Sequence, residues 1–139
     1  MKVLITGITG RVGANLARQF LQNGHDVRGF VWPGDRQAEK MRSVGAEIVE
    51  GDLASSADVS AAAEDQEVIL HLGAAFQAGG PFTPEQYMDT NVKGVFFLIQ
   101  QLLPLLKSPI DTATQELAFL PIHLLKSKKV LKHKLIKLQ

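Results

Sequence analysis

The first twenty residues, Met1–Phe20 "MKVLITGITGRVGANLARQF", decide how the chain folds. Lys2 to Thr6 is a run of aliphatic and β-branched residues without alternation, which predicts a short strand buried on both faces. Gly7, Gly10 and Gly13 follow at intervals of three. Val12, Leu16, Phe20 and Leu21 then fall on one face at helical spacing. A helix is therefore expected over Gly13 to Asn23, with Gly24 ending it in the left-handed conformation. A strand that feeds a helix through a glycine-rich turn aims the free N–H groups of the helix outward, and the helix dipole adds to them. Together they suit a phosphate. Gly7 permits the tight turn, Gly10 leaves room for a pyrophosphate against the backbone, and Gly13 lets the helix pack on the strands. Three glycines can also serve a plain structural turn. The strand before them and the helix after them favour dinucleotide binding.

The same alternation continues down the chain. "HDVRGFVW" (25–32) reads as a second strand stopped by Pro33-Gly34, and "RQAEKMRSVG" (36–45) as a short helix closing at Gly45. "AEIVEG" (46–51) reads as a third strand, "SSADVSAAAEDQ" (55–66) as a serine-capped helix and "EVILHLGAA" (67–75) as a fourth strand. A Gly/Pro loop leads to one long helical run over residues 84–107. Strand and helix in strict turn, with short links, predict parallel βαβ units. The fold class expected is α/β: a Rossmann-type doubly wound parallel sheet, truncated after about four strands.

Four ordered segments carry a family resemblance. "TGITGRVG" (6–13) resembles the T-G-x-x-G-x-x-G fingerprint of the extended short-chain dehydrogenase/reductase family, which includes nucleotide-sugar epimerases, dehydratases and dihydroflavonol-type reductases. "VEGDL" (49–53), "ILHLGAA" (69–75) and "YMDTNVKGVFFLIQ" (87–100) are similar to later motifs of that family. The resemblance implies a dinucleotide cofactor held by Gly7, Thr9, Gly10, Arg11, Val12 and Gly13 at the turn. It implies adenine contacts from Asp52 and Leu53, and a ribose and pyrophosphate lining from Leu72, Gly73, Ala74 and Ala75. Asn91 falls at the family's asparagine, a structural, loop-fixing residue. Two plainer roles compete: Asp52 as the cap of the helix after it, and His71 as a satisfied core histidine rather than a catalyst.

Selectivity for NAD usually needs a carboxylate at the end of the second strand to bind the ribose 2′-OH. That place holds Val31 and then Trp32; many reductases of the family carry an arginine where Trp32 stands. Arg36 offers a guanidinium to a 2′-phosphate, while Asp35 would repel one. The balance leans to NADP over NAD, against the reading that both are merely turn residues. The family's hydride transfer depends on a Tyr and a Lys four residues apart. The single tyrosine, Tyr87, has Asn91 four residues on, and no Y-x-x-x-K occurs in the sequence. The expectation is a cofactor-binding chain without its own catalytic pair, the parent activity being that of an NAD(P)-dependent oxidoreductase or epimerase/dehydratase. The competing expectation is a non-enzymatic interaction or nucleotide-sensing scaffold.

Composition excludes other classes. With no cysteine among 139 residues, disulfides, thiolate metal sites and cysteine nucleophiles are ruled out. The four histidines show no ligand spacing with carboxylates, so no metal is expected. No signal-like or membrane-spanning run is evident, which makes a cytoplasmic protein the expectation. Charge changes character near residue 107: residues 1–107 hold nine Lys/Arg against twelve Asp/Glu, and residues 108–139 hold six Lys against two acids. The chain thus divides into a dinucleotide-binding part, 1–107, and a divergent basic tail, 108–139. Leu131, Leu135 and Leu138 would share one face of a helix in that tail. A solvated lysine face is expected there, without membrane contact. Lysines without arginine or interleaved aromatics also argue against nucleic-acid binding. The helix over 92–106 would expose aliphatic surface, which suggests a homo-oligomer or a protein partner there.

Overall fold

The structure, a computed structural model, describes residues 1–75 and 82–106, the last three by their backbone alone. The tail at 108–139, with the expectations attached to it, lies outside the described residues. Four strands, β1 (Lys2–Thr6), β2 (Asp26–Val31), β3 (Glu47–Glu50) and β4 (Val68–His71), form one parallel sheet in the order β3-β2-β1-β4. Helices α1 (Arg11–Gln22), α2 (Ala38–Ser43) and α3 (Ser56–Ala63) link them in turn. The chain steps outward from β1 to β3, then crosses back to lay β4 on the free side of β1. Strand order therefore reverses between β1 and β4, and ligands of open α/β sheets bind at such a switch.

Side chains alternate across the sheet, and each face builds its own core. Val3 and Ile5 of β1 join Ile8, Ala17, Val27, Val31, Ala38 and Met41 beneath α1 and α2. Leu4 points the other way, into Phe30, Val59, Ala62 and Leu98. Val3, Leu4 and Ile5 are fully buried, as a strand covered on both faces requires.

The helices depart from the expected bounds in ways that matter for the turn. Helix α1 begins at Arg11, two residues early, and Val12 is exposed rather than on the core face. The face is set by small residues instead: Gly13 and Ala17 are buried, with Ala14, Phe20 and Leu21 packed beside them. Gly13 lies so close to the turn that an added Cβ would stand 2.2 Å from the Gly7 carbonyl oxygen. That approach puts Gly13 on the core side of the helix, and its neighbour Val12 is left exposed. Gly24, at φ +75°, follows the last turn in the left-handed conformation, as expected. Asp52 does not cap α3. Ser55 does, its hydroxyl accepting from the Asp58 amide, while Asp52 accepts from the Ala54 amide at 2.8 Å in a turn of its own.

The long run after the loop is helical from Pro84 to Leu106, but it is not one α-helix. It comprises α4 (Pro84–Met88), a π-helical turn (Asp89–Lys93) and α5 (Gly94–Leu106). Thr83 and Gln86 form a reciprocal capping box at its start. Among the described residues no helix is long and apolar enough to cross a membrane.

Candidate functional site

The glycine turn is built against β4. Gly7 adopts φ +68°, and a Cβ on it would meet the Gly73 amide nitrogen at 2.7 Å. Only glycine tolerates both demands. The Gly10 amide closes the turn on the Gly7 carbonyl at 3.0 Å, and the Gly10 carbonyl accepts from Ala14 at 2.9 Å. Gly10 is the N-cap of α1 and has no side chain to cap it. The amides of Arg11, Val12 and Gly13 therefore lack intrahelical acceptors. Gly10, Arg11 and Val12 are all exposed, so two of these amides belong to residues open to solvent, at the positive end of a twelve-residue helix.

Thr6 ties this turn to the strand beside it. The fully buried Thr6 hydroxyl accepts from the Leu72 amide at 3.2 Å and the Gly73 amide at 3.0 Å. Both its lone pairs are engaged, so its one proton goes to His71 Nδ1, 2.7 Å away. This assignment by the hydrogen-bond network puts the histidine's own proton on Nε2. Burial holds the His71 imidazole below the ordinary histidine range, in keeping with that neutral form. His71 Nδ1 is thus engaged by a fully buried hydroxyl. The expected strand over 67–75 ends at His71 because the next amides turn inward to Thr6.

Asn91 fixes the far end of the same segment. Its Oδ1 accepts from the Ala75 amide at 2.8 Å, and its Nδ2 donates to the Ala75 carbonyl at 2.9 Å. Leu72 to Ala75 is thus held at both ends, by Thr6 and by Asn91, with Ala74 exposed between. Asn91 lies inside the π turn, the kind of local irregularity often found at functional sites. Tight packing follows it, since a Cβ on Gly94 would stand 3.0 Å from the Leu53 carbonyl oxygen.

At the end of β2, Val31 accepts from the Gly51 amide at 2.9 Å, which sets Trp32 beside Gly51 and Asp52. Asp35 reaches back to the glycine turn: its Oδ2 accepts from the Thr9 hydroxyl at 2.7 Å and its Oδ1 from the Gln37 amide at 2.8 Å. Sequence reasoning left Asp35 as a repulsive bystander and missed this bond, for nothing in a spacing of 26 residues signals it. The hydroxyl of Thr9 is spent on Asp35. Arg11 and Arg36 have no ion pair among the described residues, and Arg36 is exposed. The fold thus gathers the glycine turn, residues 72–75 and the end of β2 at the carboxyl ends of three adjacent strands. Asp52 and Leu53 follow β3 at the same end.

Comparison with known proteins agrees with this geometry. The profile of the NAD dependent epimerase/dehydratase family matches residues 3–107. The chain is 34% identical over 103 residues to the sterol demethylase protein B of Methylococcus capsulatus, across 73% of this chain and 30% of that protein. It is 33% identical over 114 residues to a probable UDP-glucuronate 4-epimerase of Rhizobium meliloti, across 72% of this chain and 33% of the relative. Among solved structures, a short-chain dehydrogenase/reductase superfamily protein from Agrobacterium tumefaciens, with bound NAD, superposes with a TM-score of 0.60 at 30% identity. The match covers 73% of this chain and 28% of that one. A UDP-glucose-4-epimerase from Stenotrophomonas maltophila shares the fold, with a TM-score of 0.61 at 23% identity over 73% of this chain and 33% of its own. The chain spans about a third of the length of these relatives.

Proposed function

The chain belongs to the NAD dependent epimerase/dehydratase family, and from that premise we propose that residues 1–107 bind a dinucleotide at the switch between β1 and β4. The observation that carries this reading is the exposed, uncapped start of α1 at Gly10, against which the backbone of Leu72 to Ala75 is held by Thr6 and Asn91. The amides of Arg11, Val12 and Gly13 take the pyrophosphate. Gly73, Ala74 and Ala75 line the ribose next to it, and Asp52 and Leu53 bound the adenine.

The choice of cofactor turns on Asp35. A carboxylate fixed between the glycine turn and the end of β2 accepts from a ribose 2′-OH and repels a 2′-phosphate. Thr9 and Gln37 leave Asp35 with spare acceptor capacity. This supports NAD over the NADP to which Arg36 points, because Asp35 is anchored while Arg36 has no ion pair among the described residues. The sequence holds no Y-x-x-x-K pair, so cofactor binding is the activity assigned to residues 1–107.

Calorimetric titration with NAD⁺ and NADP⁺ tests this. Saturable binding with NAD⁺ the tighter ligand is expected, and Asp35→Ser should narrow or reverse the preference. No heat with either ligand, in a folded sample, would remove the reading.

A second reading rests on a separate observation. Phe96, Ile99 and Leu103 line one side of α5 and are about half exposed; Met88 and Val92, also exposed, precede them. A stripe of this kind favours association between copies of the chain or with a protein partner.

A further inference from the structure

His71 is a partly buried titratable group that the dinucleotide reading leaves without a task. Its bonds lead straight to that site. The Thr6 hydroxyl gives its proton to His71 Nδ1 at 2.7 Å and accepts from the amides of Leu72 and Gly73 at 3.2 and 3.0 Å. The Leu72 amide also reaches the Thr6 carbonyl oxygen, at 3.2 Å, whereas the hydroxyl is the one acceptor of the Gly73 amide among the described residues. Gly73 in turn packs on the glycine turn, since a Cβ on Gly7 would meet its amide nitrogen at 2.7 Å. One oxygen atom therefore joins His71, the backbone after β4 and the turn before α1.

We propose that His71 is a positioning residue of the dinucleotide site, and that a proton on its Nδ1 loosens Leu72 and Gly73 and weakens the hold on the ligand; the inference rests on the dinucleotide reading above. Neutral imidazole with its proton on Nε2 accepts at Nδ1. Imidazolium carries N–H at both nitrogens, so Nδ1 turns from acceptor to donor. Three donors then compete for the two lone pairs of the Thr6 oxygen, and the Thr6 proton loses its acceptor in a fully buried place. A buried polar group left without a partner is costly. A hydroxyl that turns to find a new acceptor takes its lone pairs off the amides. Burial lowers the His71 pKa, so the device works on the acid side of neutrality. The other titratable side chains of the elements on this face are Asp58 of α3 and Asp52 before it, Asp89 and Lys93 of the π turn, and, at the opposite end of the sheet, Lys2 and Glu67. Asp52 and Asp58 accept from backbone amides, and Asp89 pairs with Lys93.

Calorimetry and amide and imidazole chemical shifts, followed from alkaline to acid pH, test this beside His71→Asn, whose side-chain oxygen keeps an acceptor for the Thr6 hydroxyl. In the unaltered chain, NAD⁺ affinity should be flat above about pH 6.5 and fall by about tenfold across the His71 titration below it. His71→Asn should bind NAD⁺ with little pH dependence over the same range. In the unaltered chain the Leu72 and Gly73 amides should shift with the midpoint of the His71 ring. Saturation with NAD⁺ should lower that midpoint, because linkage is reciprocal. If His71→Asn does not fold, these shifts decide alone. The same fall in affinity in both chains, amides that stay still while the ring titrates, or a ring that stays neutral until the fold is lost would each overturn the role of His71 and leave the dinucleotide site standing. Absence of NAD⁺ binding to the unaltered chain at every pH would overturn both.

Discussion

Gly10 and Gly13 lie three residues apart in one turn and carry opposite consequences. A Cβ at Gly10 meets only the Gly7 carbonyl oxygen, at 3.2 Å, and the residue already has the extended conformation of an N-cap. Asp there is a better cap than Gly, and its charge suits the helix dipole. Gly10→Asp is therefore expected to keep or slightly raise the melting temperature while abolishing dinucleotide binding, since the carboxylate occupies the pyrophosphate position. Gly13→Ala is expected to do the reverse of the first part. Its Cβ would collide with the Gly7 backbone, so stability should fall by about 1–3 kcal/mol. Thermal melts of both variants, read beside NAD⁺ titrations, separate the two roles. His71 supplies a pH dependence at the same scale. Its pKa is lowered in the folded chain from an ordinary 6.5, so below that value the unfolded state takes up the proton first. Stability is thus unaffected by His71 above about pH 6.5 and declines as pH falls below it. Urea midpoints should drop as pH falls below about 6.5, and His71→Asn, which keeps an acceptor for the Thr6 hydroxyl, should flatten part of that drop. An unchanged slope would show that other groups carry it.

At the scale of elements, the latch from the π turn to residue 75 is the feature most open to test. Asn91→Leu removes both contacts to Ala75 and leaves that backbone's polar groups without partners, at a cost of about 1–3 kcal/mol. Hydrogen exchange should accelerate at Ala75 in the variant while β1 stays protected. The sequence made much of this region legible. The order of strands and helices and the serine cap of α3 follow from patterns local in the chain, and Asn91 as a loop-fixing residue follows from the family resemblance. What it left unread depended on distant contacts. The exposure of Val12 goes with the approach of Gly13 to Gly7, and the end of β4 at His71 comes from the hydroxyl of Thr6. The π turn leaves no mark in a hydrophobic period, because one widened turn shifts the pattern too little to notice. Asp35 escaped for the same reason: its partner, Thr9, lies on another loop.

For the molecule as a whole, the described sheet ends at β4 on one side, and α5 presents Phe96, Ile99 and Leu103 to solvent. A stripe of large apolar side chains about half exposed favours association with another surface. Sedimentation velocity should reveal concentration-dependent self-association, and Phe96→Glu should weaken it by placing charge in the stripe. A sedimentation coefficient independent of concentration would contradict this. The start of α1 and the backbone after β4 are together the proposed seat of the dinucleotide. Amide chemical shifts of the ¹⁵N-labelled chain during an NAD⁺ titration test it residue by residue. The amides of Arg11, Val12 and Gly13 and those of Gly73 to Ala75 should shift together and saturate, with Gly10→Asp silent. Shifts confined to other residues, or none at all in a folded chain, would contradict the account.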